Sequence, residues 1–201
     1  MRKDVREYFL VLEGLFEKTA VTGANGQAYQ FDEAVDMSIR MIVDRAALGG
    51  KLLFIGNGAS ASISNHMATD FWKNAGVQAI SFSDSVLLTC VSNDYGYKHV
   101  FEKPIEMFAG PQDILIAISS SGQSENILRG ATAAKQKGLK IITLSGFDEN
   151  NPLRKLGNIN FYVPWSQYGH VEIAHLSICH CLGDVIINNK SKLTEKVECY
   201  E

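Results

Sequence analysis

The sequence predicts an α/β protein built on an open, five-stranded parallel sheet covered by helices on both faces, with a helical N-terminal extension. Three observations carry that reading. Short apolar runs recur at 51–55, 77–82, 113–118, 140–144 and 160–163. Each is separated from the next by polar or amphipathic sequence of helical length, the grammar of strand–helix–strand units rather than of hairpins. Two of the runs break into segments rich in glycine and serine before helical sequence resumes.

The elements follow in order. Residues 4–21 and 31–48 carry helical periodicity. The second stretch opens at Phe31-Asp32-Glu33, shows Val35, Met37, Ile39, Met41 and Ile42, and stops at Gly49-Gly50, a glycine helix end. Residues 1–50 are therefore expected to be a helical extension and 51–190 the α/β core of a single domain spanning 1–201. Two helices ahead of the sheet offer more apolar surface than a layered fold needs, so part of it is expected to pack on another subunit. A helix is predicted from Glu125 to Lys137, and a long closing helix over 171–188. Internal repeats, low-complexity tracts and Pro-rich linkers are absent from the sequence.

Composition narrows the function classes. With 46% hydrophobic and 20% charged residues the chain is an ordinary globular one, and its 201 residues suffice for one sizeable core. Its net charge of −3 and the lack of a Lys/Arg run argue against nucleic acid or an anionic membrane as partner. No apolar stretch approaches the roughly 18 residues of a membrane span, and the opening MRKDVREYFLVLEG is too charged for a signal peptide. Cys90, Cys179, Cys181 and Cys199 form no disulfide framework, which favours a reducing cytoplasm. Cys179-His180-Cys181 sits in a helical pattern and reads as buried small hydrophobes rather than as metal ligands.

Ligands of open parallel sheets bind beyond the carboxyl ends of the strands, and two strand ends here carry chemistry. In FIGNGASASISNH, Gly56 and Gly58 let the backbone turn before Ser60 and Ser62 open a helix. In ISSSGQS, Ser119, Ser120, Ser121 and Ser124 again precede a helix. Unpaired N–H groups and the helix dipole make such termini attractive to anions. Serines at these places also serve as plain N-caps, so one loop alone says little. Two of them, each after a core strand, point to phosphate. Neither loop is GxxxxGK[ST] or GxGxxG, which favours a small phosphorylated metabolite over a nucleotide cofactor.

His66 and Asp70 stand at i and i+4, on one helix face just after the first loop. On the closing helix, Glu172 and His180 are eight positions apart, about 12 Å along the axis. One metal joins them only if both side chains converge, and His175 is the geometric rival. Helical His and carboxylate pairs suit zinc and proton transfer equally. In CVSNDYGYKHVF, Asn93 and Asp94 precede an aromatic–glycine pair and read locally as a turn.

Taken together, Gly56-Asn57-Gly58-Ala59-Ser60, His66, Val91-Ser92-Asn93-Asp94-Tyr95-Gly96, the 118–124 loop and the Glu172…His180 helix resemble the SIS (sugar isomerase) domain family, and within it the phosphoheptose isomerases. The likeness runs over nearly the whole chain, and SNDYG is its most specific part. It implies a flavodoxin-like fold and a homotetramer with sites at subunit boundaries. It implies that Ser119, Ser120, Ser121 and Ser124 grip a sugar phosphate, with Asn57, Gly58, Ala59, Ser60, Asn93, Asp94 and Glu172 also binding substrate. It further implies that His66, Asp70, Glu172 and His180 surround the reacting carbons, often with zinc. The implied reaction converts sedoheptulose 7-phosphate to D-glycero-D-manno-heptose 7-phosphate through an enediol. Asp70 or Glu172 would act as base and His180 as proton shuttle.

This chain departs from that pattern in three places. Asp70 replaces the usual Glu, Glu172 the usual Gln, and the stretch from Asp70 to the next strand is short and lacks an expected arginine, Lys73 being the nearest cation. The more anionic cluster favours a divalent metal. Two rival readings share the fold. One is a non-catalytic module that binds a protein such as a replication initiator; the other is a sensor that binds a phosphosugar without turnover.

Overall fold

A computed structural model of the chain describes residues 2–189, so Cys199 and residue 190 lie outside the described residues. Helices α1 (Lys3–Lys18) and α2 (Phe31–Ala47) flank a hairpin of β1 (Ala20–Gly23) and β2 (Ala28–Tyr29). There follow β3 (Leu52–Gly56), α3 (Ala59–Asp70), β4 (Ala79–Ser81), α4 (Ser85–Tyr95) and α5 (Glu102–Phe108). The chain continues through β5 (Ile114–Ser119), α6 (Glu125–Gln136), β6 (Lys140–Ser145), β7 (Ile159–Tyr162) and α7 (Tyr168–Asn188).

All five predicted strands are present as β3 to β7, mutually parallel, in the order β4-β3-β5-β6-β7. Their side chains alternate as a doubly covered sheet requires. Leu52, Phe54, Ile114, Ile116 and Ile118 face a core shared with α1, α2, α3 and α7. Leu53, Ile55, Leu115 and Ala117 face the opposite core, built with α5 and α6.

The helical extension needs correction. The first helix stops at Lys18, and the residues after it form β1, which pairs antiparallel with β7 and extends the sheet to seven strands. The reason is non-local: Val21 finds its partner in Phe161. The turn Ala24-Asn25-Gly26, with Gly26 at φ 79°, closes the hairpin. The membrane reading also needs correction. Helix α7 is long and apolar enough to cross a membrane by length and composition, with a mean hydropathy of 1.3, but half of that window is buried against the sheet as a core helix. Cys179 lies within that core, where burial pushes its thiol up to about 12, so it behaves as a small hydrophobe.

His175 is fully buried on α7. Its Nε2–H donates to Ser145 O at 3.1 Å, which leaves Nδ1 as an unprotonated acceptor without a partner. Burial lowers its pKa from 6.5 to about 4. Below pH 6.5 the unfolded chain takes up a proton that the folded protein refuses, until the folded state also protonates near pH 4. Stability is therefore expected to fall by about 3 kcal/mol across that window, an effect absent from His175→Gln. Urea midpoints of the two proteins between pH 7 and pH 4 measure it.

Candidate functional site

The strand order makes a crevice. From β3 the chain crosses to β4 on one side, and from β5 it crosses to β6 on the other, so the connections diverge between β3 and β5. Gly56 lies opposite Ile118 across that gap, and the two glycine–serine loops leave the sheet at the same height. Their divergence opens the switch-point cleft at which open α/β sheets bind ligands. The loops contribute Asn57, Ser60, Ser119, Ser120, Ser121 and Ser124 to its walls, and α7 contributes Tyr168 and Glu172. The cleft has a volume of about 120 Å³. That is room for a phosphoryl group, and the cleft is open to solvent on one side.

Two glycines set the loop shapes. Gly58, the residue before α3, has φ 55° and ψ −123°, a conformation closed to L side chains. Gly122 has φ 63° and packs its α-carbon against the buried Asn151 amide. With Gly58 in this turn, Ala59 begins α3 and Ser60 is buried at its first turn, so the N–H groups of that end face the cleft.

The serines are not spent as N-caps. Ser124 precedes α6 but makes no capping hydrogen bond, and its Oγ instead accepts from Ser119 Oγ at 3.3 Å. Ser119 Oγ also accepts from Gly122 N at 3.2 Å, and Ser121 Oγ from Gln123 N at 3.2 Å. Ser120 is 5% exposed and its Oγ is buried without a hydrogen-bond partner. A buried hydroxyl left unpaired is held against its own preference, and an anion in the cleft would supply the missing acceptor. Ser120→Ala is thus expected to leave thermal stability unchanged or raised by up to about 1 kcal/mol, while weakening phosphate binding about tenfold. Melting curves with and without phosphate report both signs.

Among the described residues lining the cleft there is no cation. The anion would be held by hydroxyls, backbone N–H groups and the ends of α3 and α6. Glu172 adds a carboxyl, and its partial burial raises its pKa, keeping the neutral form closer to hand than for an exposed glutamate.

A second cluster stands farther along α3 and α7. His66 Nε2 is 3.4 Å from Asp70 Oδ2, the i,i+4 pair of α3. From α7, His180 brings Nε2 to 3.3 Å from His66 Nε2 and Nδ1 to 3.8 Å from Asp70 Oδ2. One ligand atom from each of these residues lies within 4.8 Å of the others. Two ligands bound to a tetrahedral zinc at 2.0–2.1 Å stand about 3.4 Å apart, so the imidazole spacing fits a shared metal. Asp70 ends α3 where the helix widens into the π turn Phe71–Ala75, with Phe71 buried against Phe54 at a 5.8 Å ring separation. Irregularities of this kind recur at functional positions.

Of the four residues expected around the reacting carbons, the structure brings together His66, Asp70 and His180. Glu172 stands outside that group, at the cleft, because eight residues of helix separate it from His180 by about 12 Å. Asn93 and Asp94 lie in the last turns of α4 rather than in a turn, are exposed, and do not line the cleft of their own chain. Asn93 Nδ2 donates to Asp94 Oδ1 at 2.8 Å. Lys73 is exposed on the π turn. Tyr168 escaped the sequence reading because the closing helix was expected to begin at 171, and the observed helix starts one turn earlier. Its YGH opening, an aromatic–glycine pair after Pro164, was the available signal.

Comparison with known proteins bears on this arrangement. The SIS domain family model matches residues 25–146. A phosphoheptose isomerase of Solidesulfovibrio magneticus is 36% identical over 160 residues, covering 77% of this chain and 78% of the relative. The solved phosphoheptose isomerase of Francisella tularensis superposes with a TM-score of 0.79 at 28% identity, covering 92% of this chain and 98% of that one. That of Neisseria gonorrhoeae gives 0.72 at 27% identity, over 77% and 86% of the two chains.

Proposed function

The chain belongs to the SIS domain family, and from that membership and the geometry of the site we propose that it is an aldose–ketose isomerase interconverting sedoheptulose 7-phosphate and D-glycero-D-manno-heptose 7-phosphate. One observation carries the reading. The hydroxyl-lined cleft and the His66–Asp70–His180 group share two helices, Ser60 with His66 on α3 and Glu172 with His180 on α7. Six residues of α3 and eight of α7 span about 9 and 12 Å, distances an extended phosphorylated sugar chain can bridge. The phosphate end is anchored, and the far C1–C2 end meets imidazoles and a carboxylate.

On this reading Asp70, rather than Glu172, takes the proton from C1 of the ketose. His180 supplies a proton to the C2 oxygen and accepts one from the C1 hydroxyl as the enediol forms and collapses. Asp70 then returns its proton to C2, so the exchange balances with no net proton. Tethering converts the encounter into an intramolecular one, and the serine loop's part is this positioning. With zinc held by His66, Asp70 and His180, Lewis-acid polarisation of the carbonyl would take the place of the proton that His180 supplies in the metal-free reading. The two-imidazole, one-carboxylate set leaves a coordination position free, as catalytic zinc requires.

The reading extends to assembly and compartment. Helix α4 buries none of its residues, and Val86 is 72% exposed, as Phe9 and Leu10 of α1 are exposed to 57% and 54%. Apolar exposure of this extent supports a homotetramer in which α4 of one subunit closes the site of another, bringing Asn93 and Asp94 to substrate. The described cysteines are free thiols, which supports the cytoplasm as compartment. The test is incubation with sedoheptulose 7-phosphate in heavy water, with and without zinc. Aldose formation, or deuterium at C1 of the ketose, is the expected result. Binding without either outcome overturns catalysis and leaves a sensor; no binding overturns the phosphosugar site.

A further inference from the structure

Asn57 lines the cleft, and its side-chain amide is held from two directions. Its Nδ2 donates to Asn126 Oδ1 at 2.9 Å, and its Oδ1 accepts from Asn126 Nδ2 at 2.9 Å. The Tyr97 hydroxyl donates to the same Asn57 Oδ1 at 2.9 Å. Asn126 is 3% exposed in the first turn of α6, and its Oδ1 also accepts from Ile127 N at 3.0 Å.

These bonds determine which way both amides face. A backbone N–H only donates, so the Asn126 atom bonded to Ile127 N is the oxygen. The Asn57 atom facing that oxygen must then be the nitrogen, and the Asn57 oxygen must face Asn126 Nδ2. Both lone pairs of Asn57 Oδ1 are now occupied, by Asn126 and by Tyr97. The one capacity left on Asn57 is its second N–H.

We propose that Asn126 and Tyr97 are positioning residues that lock Asn57 as a hydrogen-bond donor toward the oxygens of a phosphorylated sugar. This rests on the reading of the serine-loop cleft as a phosphosugar site. An unlocked asparagine presents its carbonyl about as readily as its NH₂ group, and the carbonyl repels phosphate oxygens. The lock also ties three segments to one amide: the loop after β3, the first turn of α6 and the segment following α4. Tyr97 immediately follows the YG of SNDYG, so the stretch whose Asn93 and Asp94 lie away from the cleft reaches it through this hydroxyl.

The test is a double-mutant cycle on KM for sedoheptulose 7-phosphate and on calorimetric binding of inorganic phosphate. Asn126→Ala is expected to raise KM and the phosphate Kd about tenfold with kcat within about twofold, and Tyr97→Phe about threefold. In an Asn57→Ala background neither is expected to add anything, because both act through Asn57. Additive losses, as from a merely structural role, overturn the lock, and so do unchanged constants in the single variants. Tyr97 is 56% exposed, so Tyr97→Phe keeps the cycle decisive should Asn126→Ala misfold. Failure of the wild-type protein to bind either probe overturns the reading of the cleft itself, and the lock with it.

Discussion

Asparagine in place of Asp70 is expected to abolish most turnover of sedoheptulose 7-phosphate while sparing the phosphate cleft. The side chain keeps its shape and loses the ability to accept a carbon-bound proton. The loss expected of a removed general base is about 10²–10⁴-fold in kcat. Asp70 Oδ2 lies 3.4 Å from His66 Nε2 and 3.8 Å from His180 Nδ1, so the substitution would also weaken the proposed hold of the three on a zinc ion. Assay at saturating zinc separates the two effects. Inorganic phosphate affinity should stay within about twofold, because Asp70 is not among the residues lining the cleft. Undiminished solvent-deuterium exchange at C1 in Asp70→Asn would remove Asp70 from the mechanism and return Glu172 to candidacy.

Alanine in place of Gly122 is expected to damage the cleft from the opposite direction. At φ 63° a side chain costs about 1–2 kcal/mol in backbone strain alone. The new methyl also overlaps Asn151 Oδ1 and Cγ, and that amide has nowhere to go. Asn151 is 1% exposed, its Nδ2 donates to Asp148 O at 2.8 Å and Ser145 Oγ at 3.1 Å, and its Oδ1 accepts from Arg154 N at 3.1 Å. Overpacking of a closed site adds about 1–3 kcal/mol, so the total is about 2–5 kcal/mol of stability. What survives folding should bind phosphate poorly, since Gly122 N also donates to Ser119 Oγ. Chemical denaturation and phosphate titration measure the two losses. A variant as stable as wild type would show that the loop accommodates the methyl by moving.

How much of this was legible in the sequence follows from the range of the interactions. The five parallel strands were, because each is a run of apolar side chains whose burial on both faces is written in the run itself. Loops with glycine at strand ends were legible for a similar reason, as glycine adopts without steric cost the positive φ found at Gly58 and Gly122. The His66–Asp70 pair was legible from the helical period. The β1–β2 hairpin was not, because β1 is held by β7, far away in the chain, and its Ala-Val-Thr-Gly stretch is locally compatible with the end of a helix. Whether the loop serines capped helices or faced a ligand was also illegible. That turned on hydrogen bonds such as Ser119 Oγ to Ser124 Oγ, which depend on the folded loop.

The motif likeness grouped His66, Asp70, Glu172 and His180, and the structure divides them. Eight residues of helix hold Glu172 and His180 about 12 Å apart, so Glu172 lines the serine-walled cleft and His180 joins the imidazole–carboxylate group. The amide lock is likewise tertiary: Asn57 and Asn126 are 69 residues apart and meet because β3 and β5 are neighbours. By itself the sequence determined the layered fold, the two glycine–serine loops at strand ends and the His–carboxylate pairing on α3, since these follow from short-range sterics and helical or strand period. Tertiary structure decided which side chains share a site. That depends on strand order and helix packing, which set distances between residues that no local rule relates.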